Sequence, residues 1–273
     1  SQPIEIHLNK KKLNLINKNS LDIYFPTKEI SNFYLWKKWR EILQINIPDK
    51  ILRFFFEPIF KIALKKNNKK MLVPFRHHSK NLSYNKTNQT NKTWQSQDIN
   101  NVLDKTDPLI NFTKKEIDAG YEFLKKNNIL KNDKIILLIS RDPKYWHDTS
   151  GKRVGSDYTF RDQDINIFKD AVEYLCGLNY KIIRMGKNMD KKLNINNPNF
   201  LDYAFSSERS DFLDIFLFKV CYFVISTGSG LDNVSSLFRK NILLINYADL
   251  VLMNYFNNNV KMFFPKNFYY LQN

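Results

Sequence analysis

From Cys221 to Tyr247 the chain passes through an apolar run, a turn with two glycines, a helix-like run and a second apolar run: CYFVIS, TGSG, LDNVSSLFRK and NILLINY. Two strands joined by a helix run parallel, because the crossover returns the chain to the edge from which it started. Gly228 and Gly230 let the backbone turn without a Cβ in the way. They hold Ser226, Thr227 and Ser229 at the start of the helix, where unpaired amides and the helix dipole favour an anionic ligand. The turn fits neither GxGxxG nor the P-loop pattern, so a strand-to-helix turn that binds nothing is the alternative.

The same alternation extends back to Asn132. KIILLIS (134–140) is a continuous apolar run suited to a strand buried on both faces. After a long polar loop, Ile165 to Leu178 shows helical spacing through Ile165, Phe168, Val172 and Leu175, and KIIRMG is the next strand. FLDYAF is expected as a short strand, and Ser210 caps a helix to Lys219. The pattern predicts an α/β fold with a Rossmann-like parallel sheet over 131–273, the nucleotide-binding lobe.

Residues 1–130 read differently. Ile4 to Leu8 and Leu13 to Ile16 alternate like short strands, separated by the basic turn Asn9 to Lys12. Ser31 to Lys66 has helical periodicity broken at Pro48, MLVPF at Met71 to Phe75 fits a buried strand, and Ser79 to Asp107 is polar and aperiodic. Thr113 and Glu116 form a capping box for a helix from Lys114 to Asn127. The expectation is a partial, helix-rich N-terminal lobe.

Charge follows the same division. The net charge is +16, of which residues 1–133 carry +12 and residues 134–273 carry +4. An abundance of Lys, Asn, Ile, Phe and Tyr fits an AT-rich genome and tempers that number. The basic, aromatic first half suits an anionic membrane surface, with Trp36, Trp39, Phe54, Phe55 and Phe56 at an apolar boundary, or a helix pair packed on a core. Cys176 and Cys221 read as buried thiols of a reducing compartment. With no long uncharged apolar run and no signal peptide at Ser1, the expected location is cytoplasmic, with peripheral contact at the inner membrane face.

Ligands of open parallel sheets sit beyond the carboxyl ends of the strands. Those ends collect Ser140, Arg141 and Asp142, then Arg184, Met185 and Gly186, then Ser226, Thr227, Gly228, Ser229 and Gly230. Two arginines facing a glycine-bearing turn suit a diphosphate. Arg141 pairing with Asp142, a solvated Arg184, and Ser210 with Asp211 as a simple helix cap are the plain alternatives. His147, among Tyr145, Trp146 and Asp148, is a better general-base candidate than His77 or His78. No His, Asp and Glu cluster has metal-site spacing, so neither a metal nor another cofactor is expected.

YFPTKEISNFYLWKKW, RDPKYWHD, YTFRDQDINIF, KIIRMG, ERSDFLDIFLF and STGSGLDNVSSLFRKNILLIN together resemble bacterial glycosyltransferases of surface-polysaccharide clusters, with the two-lobed GT-B fold. More distantly, the arginine after the first strand of the C-terminal lobe resembles the fucosyltransferase arrangement. The resemblance implies donor contacts from Arg141, Arg161, Arg184, Ser226, Thr227, Gly228 and Ser229. Only fragmentary strands precede Pro74, so the N-terminal lobe is expected to be incomplete.

These readings point to a metal-independent transferase that moves a sugar from a nucleotide-sugar donor to a glycan or lipid-linked acceptor. Arg141, Asp142 and His147 are its catalytic candidates. Arg161, Arg184, Gly186, Ser210, Asp211 and Ser226 to Gly230 are its donor contacts. The alternatives are a non-catalytic GT-B-derived binding module and a basic nucleic-acid-binding protein. The latter is disfavoured because the positive charge concentrates in the half without the glycine-bearing turn. A dinucleotide-dependent oxidoreductase is disfavoured by RDP and RMG, where GxGxxG and an acidic residue belong.

Overall fold

The computed structural model describes residues 2–20, 22, 24, 30–43, 54, 58, 98, 100–144 and 162–247, with the backbone of 23, 45, 46 and 260–265. Six strands form one parallel sheet: β3 (Ile135–Ile139), β4 (Lys181–Met185), β5 (Phe200–Leu201), β6 (Phe223–Ser226), β7 (Asn241–Tyr247) and β8 (Val260–Pro265). Their spatial order is β5-β4-β3-β6-β7-β8, and every pairing is parallel. Counted from β3 this is the 3-2-1-4-5-6 order of doubly wound nucleotide-binding sheets, so the lobe is α/β and compatible with a Rossmann-like fold.

All five residues of β3 are buried, as its unbroken apolar run predicts. Leu137 and Ile139 join Ile183 and Met185 on one face; Ile136 and Leu138 join Ile182 on the other. Each fully buried aliphatic side chain contributes roughly 1.5–3 kcal/mol, which makes β3 the anchor of both layers. The first face is covered by α2 (Phe33–Ile42), α3 (Lys114–Lys126), α5 (Asp211–Val220) and α6 (Asn233–Leu237). The second is covered by a 3-10 turn (Ile165–Phe168) running into α4 (Lys169–Gly177).

Several expectations hold in detail. Thr113 and Glu116 make both bonds of the capping box at α3, and Ser210 caps α5 through the amide of Leu213. Cys176 and Cys221 are buried free thiols, and burial pushes the Cys221 thiol up to about 12.

The amino terminus corrects the sequence reading. Ile4 to Leu8 is no strand: Gln2–Lys12 is a helix, α1, and the segment from Leu13 to Ile16 turns away from it. Alternation of Ile4, Ile6 and Leu8 imitates a strand, but Pro3 and Glu5 suit a first helical turn and Lys10, Lys11 and Lys12 a last one. Tertiary bonds settle the matter, since buried Glu5 accepts from Asn9 one turn on and from Arg239. Helix α1 packs on α6, and Lys11 bonds Asp22 and the carbonyl of Ser20.

Of the expected helix pair over Ser31 to Lys66, the first member is α2, capped by Asn32. It is followed by a two-residue strand, β2 (Ile45–Asn46), parallel to β1 (Ile23–Tyr24). Trp39 is buried and Trp36 packs against the same core, because α2 lies on α5. Core packing, rather than an interfacial face, therefore accounts for the tryptophans of this helix. Phe54 is exposed, whereas Phe55, Phe56 and the run Met71 to Phe75 lie outside the described residues.

FLDYAF divides into β5 and a 3-10 turn, Tyr203–Phe205. The run after Gly230 is not one long helix but a 3-10 turn, Gly230–Asp232, and the five-residue α6. Among the described residues no helix is long and apolar enough to cross a membrane.

Candidate functional site

The strand order reverses between β3 and β6, the point at which open parallel sheets of this kind place their ligand crevice. The two strand ends are stitched together. Thr227 donates its amide to the carbonyl of Ile139 at 3.1 Å and accepts the Arg141 amide on its hydroxyl at 2.9 Å. Ser140, Ser226 and Thr227 are all buried, so the floor of the crevice is polar but closed.

Gly228 has φ +89°, and a Cβ there would lie 2.4 Å from the Tyr247 ring. Glycine is thus required both by the left-handed turn and by the aromatic packed against it. Three of the amides expected to be free in this turn are held instead by its own side chains. Ser229 donates its amide to Asp232 Oδ2 at 2.6 Å, Gly228 to Ser226 Oγ at 3.1 Å, and Leu231 to Ser229 Oγ at 3.2 Å. Ser226 in turn donates its hydroxyl to Asp232 Oδ1 at 2.5 Å. The Asp232 carboxylate thereby takes the Ser229 amide, one of the donors expected for a phosphate. Its signal was present in the sequence, since Ser229 and Asp232 have capping-box spacing.

On the β3 side, Arg141 pairs through Nε with Asp162 Oδ1 at 2.9 Å, and not with Asp142. Its side chain is 15% exposed, which leaves it within reach of the crevice. Asp142 accepts the amides of Lys144 and Asp190 and so ties the loop after β3 to the loop after β4. His147 and Arg161, with Tyr145, Trp146 and Asp148, lie outside the described residues.

Arg184 does not line the open rim. It is fully buried, with Nη1 donating to Asp202 Oδ2 at 3.0 Å and to the Lys191 carbonyl at 2.7 Å, and its guanidinium carbon stands 5.5 Å from the centre of the Phe205 ring. The reason is alternation along β4: Arg184 shares the face of Ile182 and points into the layer beneath α4.

The remaining members are joined by a residue the sequence reading passed over. Arg209 donates from Nε to the Gly186 carbonyl at 3.0 Å and from Nη2 to Asp214 Oδ2 at 2.5 Å. Asp214 also accepts from the Tyr203 hydroxyl at 3.1 Å. Burial pushes the Asp214 carboxyl up to about 6 against the pull of Arg209. Ser210 is committed to its helix cap, and Asp211 faces α2, where Oδ2 accepts the Phe33 amide at 2.7 Å. Sequence spacing could have found Arg209, because ERSD places it directly before the Ser210 cap.

Two shallow surface clefts, of about 570 Å³ and 220 Å³, lie along α3 rather than at the switch point. The first is lined by Lys114, Lys115, Asp118, Ala119 and Glu122; the switch point is the better candidate because the ends of two strands meet there through Thr227. None of the family models, curated proteins or solved structures compared with the chain matches it.

Proposed function

We propose that this chain is the donor-binding portion of a glycosyltransferase of GT-B type, with a partial acceptor-side lobe in residues 1–130 and a nucleotide-sugar lobe in 131–273. It passes a sugar to a glycan or lipid-linked acceptor at the inner face of the membrane. The observation that carries the reading is the switch point between β3 and β6, with Arg141 at its edge. A nucleotide lies across such a crevice, and the Arg141 guanidinium offsets charge developing on the departing diphosphate, a role that needs no metal. The outward Gly230 at the lip of the turn leaves room for the phosphates, since a side chain there would meet open space.

A non-catalytic binding module of the same descent has one observation in its favour. Asp232 already holds the Ser229 amide and the Ser226 hydroxyl, and an anion that needs those donors must displace it.

Thermal unfolding with UDP, GDP, CDP, CMP and their sugar conjugates, with and without Mg2+, separates the two. The transferase reading expects one nucleotide to raise the midpoint without Mg2+, and the rise to vanish in Arg141→Ala and Gly230→Asp. Gly230→Asp adds a negative charge where a side chain meets no steric obstacle. No rise with any nucleotide, from protein shown to be folded, overturns the transferase reading in favour of the module.

A further inference from the structure

We infer that the corner beneath the ends of β3 and β4 is a binding site for a small oxyanion, a carboxylate or phosphate group, gripped by the unpaired edge of Arg184 together with Ser140 and Gln163.

Arg184 is wholly enclosed, yet only Nη1 has acceptors; Nε and Nη2 have none. Those two nitrogens form the side of the guanidinium that binds an oxyanion through two parallel bonds. Arginine stays charged, so burying this edge empty leaves two charged donors without a partner. Two neighbours share the predicament, for Ser140 Oγ and Gln163 Nε2 are also buried without a partner.

The fold brings them to one corner. Leu138 pairs in register with Arg184, and Ser140 follows two residues later on the same side of β3. Gln163 donates its amide to the carbonyl of Arg141, next to Ser140. Asp202, which accepts from Arg184 and from the Leu193 amide, closes the far wall. Above the corner the rim is laced by Arg141 to Asp162, Lys191 to Asp164 and Asp142 to the Asp190 amide.

The balance of donors decides the ligand class. Three nitrogens and one hydroxyl are left without partners, against a single unpartnered carboxylate oxygen, Asp202 Oδ1. A water molecule accepts two hydrogen bonds, whereas an oxyanion accepts four or more. Arg184 stands two strands from the glycine-bearing turn and on the other face of the sheet, and Ser140 is the member that borders the turn, since its neighbours Ile139 and Arg141 both bond Thr227. It stands whether or not the chain is a transferase.

An enclosed anion exchanges only when the rim opens, so the first readout is what the folded chain carries. Purified protein, desalted into a chloride buffer and then denatured, is expected to release a small anion detectable by mass spectrometry. Inorganic phosphate, glucuronate and UDP, each compared with chloride at equal ionic strength, then distinguish a free phosphate, a carboxylate and a nucleotide as the source. At least one is expected to raise the unfolding midpoint, with apparent affinity weakened about tenfold in Ser140→Ala and in Gln163→Leu, which leave the Arg184 to Asp202 pair intact. Arg184→Lys, which keeps the charge without the fork, is expected to abolish the effect. The inference is overturned if nothing is released and no anion outperforms chloride, or if both donor variants respond as the parent does.

Discussion

Glu5 and Arg239, separated by 234 positions, meet at 2.9 Å, and the carboxylate is completely enclosed. Arg239 also donates to the carbonyls of Leu103, Thr106, Ser236 and Leu237, so one side chain ties α1, the segment before α3 and the end of α6 together. Its backbone has φ +56°, a conformation in which glycine is usually the better residue. Arg239→Gly relieves that backbone but strands a buried carboxylate, and a loss of about 3–5 kcal/mol is expected in urea unfolding. Glu5→Gln is expected to cost less, and in the double variant the losses are expected not to add. Strict additivity would show that the pair does not couple the two ends of the chain.

Gly228 and Gly230 stand two residues apart with opposite expectations. Gly228→Ala meets both a left-handed backbone and the Tyr247 ring, and a loss of roughly 2–4 kcal/mol is expected. Gly230→Ala meets nothing and is expected to change stability by less than about 1 kcal/mol. Equal midpoints for the two variants would contradict this account of the turn.

Glu116 accepts from buried Lys38 at 2.9 Å while also closing the capping box of α3. Desolvation opposes ionisation, but the bonds from Lys38 and Thr113 prevail and hold its carboxyl at about 2, below its ordinary 4.5. Its stabilising contribution is therefore complete above pH 4.5 and is lost as the pH falls through about 2. Glu116→Gln is expected to lower stability at neutral pH and to flatten the decline between pH 4.5 and 2, measured by chemical denaturation across that range.

Asp214 carries the opposite sign. Its carboxyl is raised from 3.8 to about 6, so the folded state binds the proton more tightly than the unfolded chain does. Stability from this group is greatest below pH 3.8 and decreases as the pH rises to about 6. Asp214→Asn keeps an acceptor for Arg209 and Tyr203 and is expected to remove that slope. A slope unchanged by the substitution would assign it to another group.

Several features of the fold were legible because they are local. The apolar run 134–140 suited a strand buried on both faces, and the structure has that strand at the centre of the sheet, with Ile135–Ile139 fully covered. The Thr113 to Glu116 box and the Ser210 cap depend on spacings of three residues, which any sequence displays. The candidate crevice was legible to the same degree, since Arg141 and Thr227 follow strands that the sequence identifies.

What failed depended on partners distant in sequence. Ile4 to Leu8 alternates like a strand, yet Glu5 is held in a helix by Asn9 and by Arg239. Arg184 reads as a rim arginine until the register of β3 and β4 directs it inward.

By itself, then, the sequence determined the alternation of strands and helices from Lys114 to Tyr247, with the Thr113 and Ser210 caps and the apolar faces, because hydrophobic period and hydrogen-bonding side chains act within a few residues. Only the tertiary structure decided which charges meet. Asp162 rather than Asp142 pairs with Arg141, Asp232 takes the Ser229 amide of the glycine-bearing turn, and Arg184 keeps an unpaired edge inside the lobe. Those outcomes follow from strand register and side-chain direction, which no local spacing encodes.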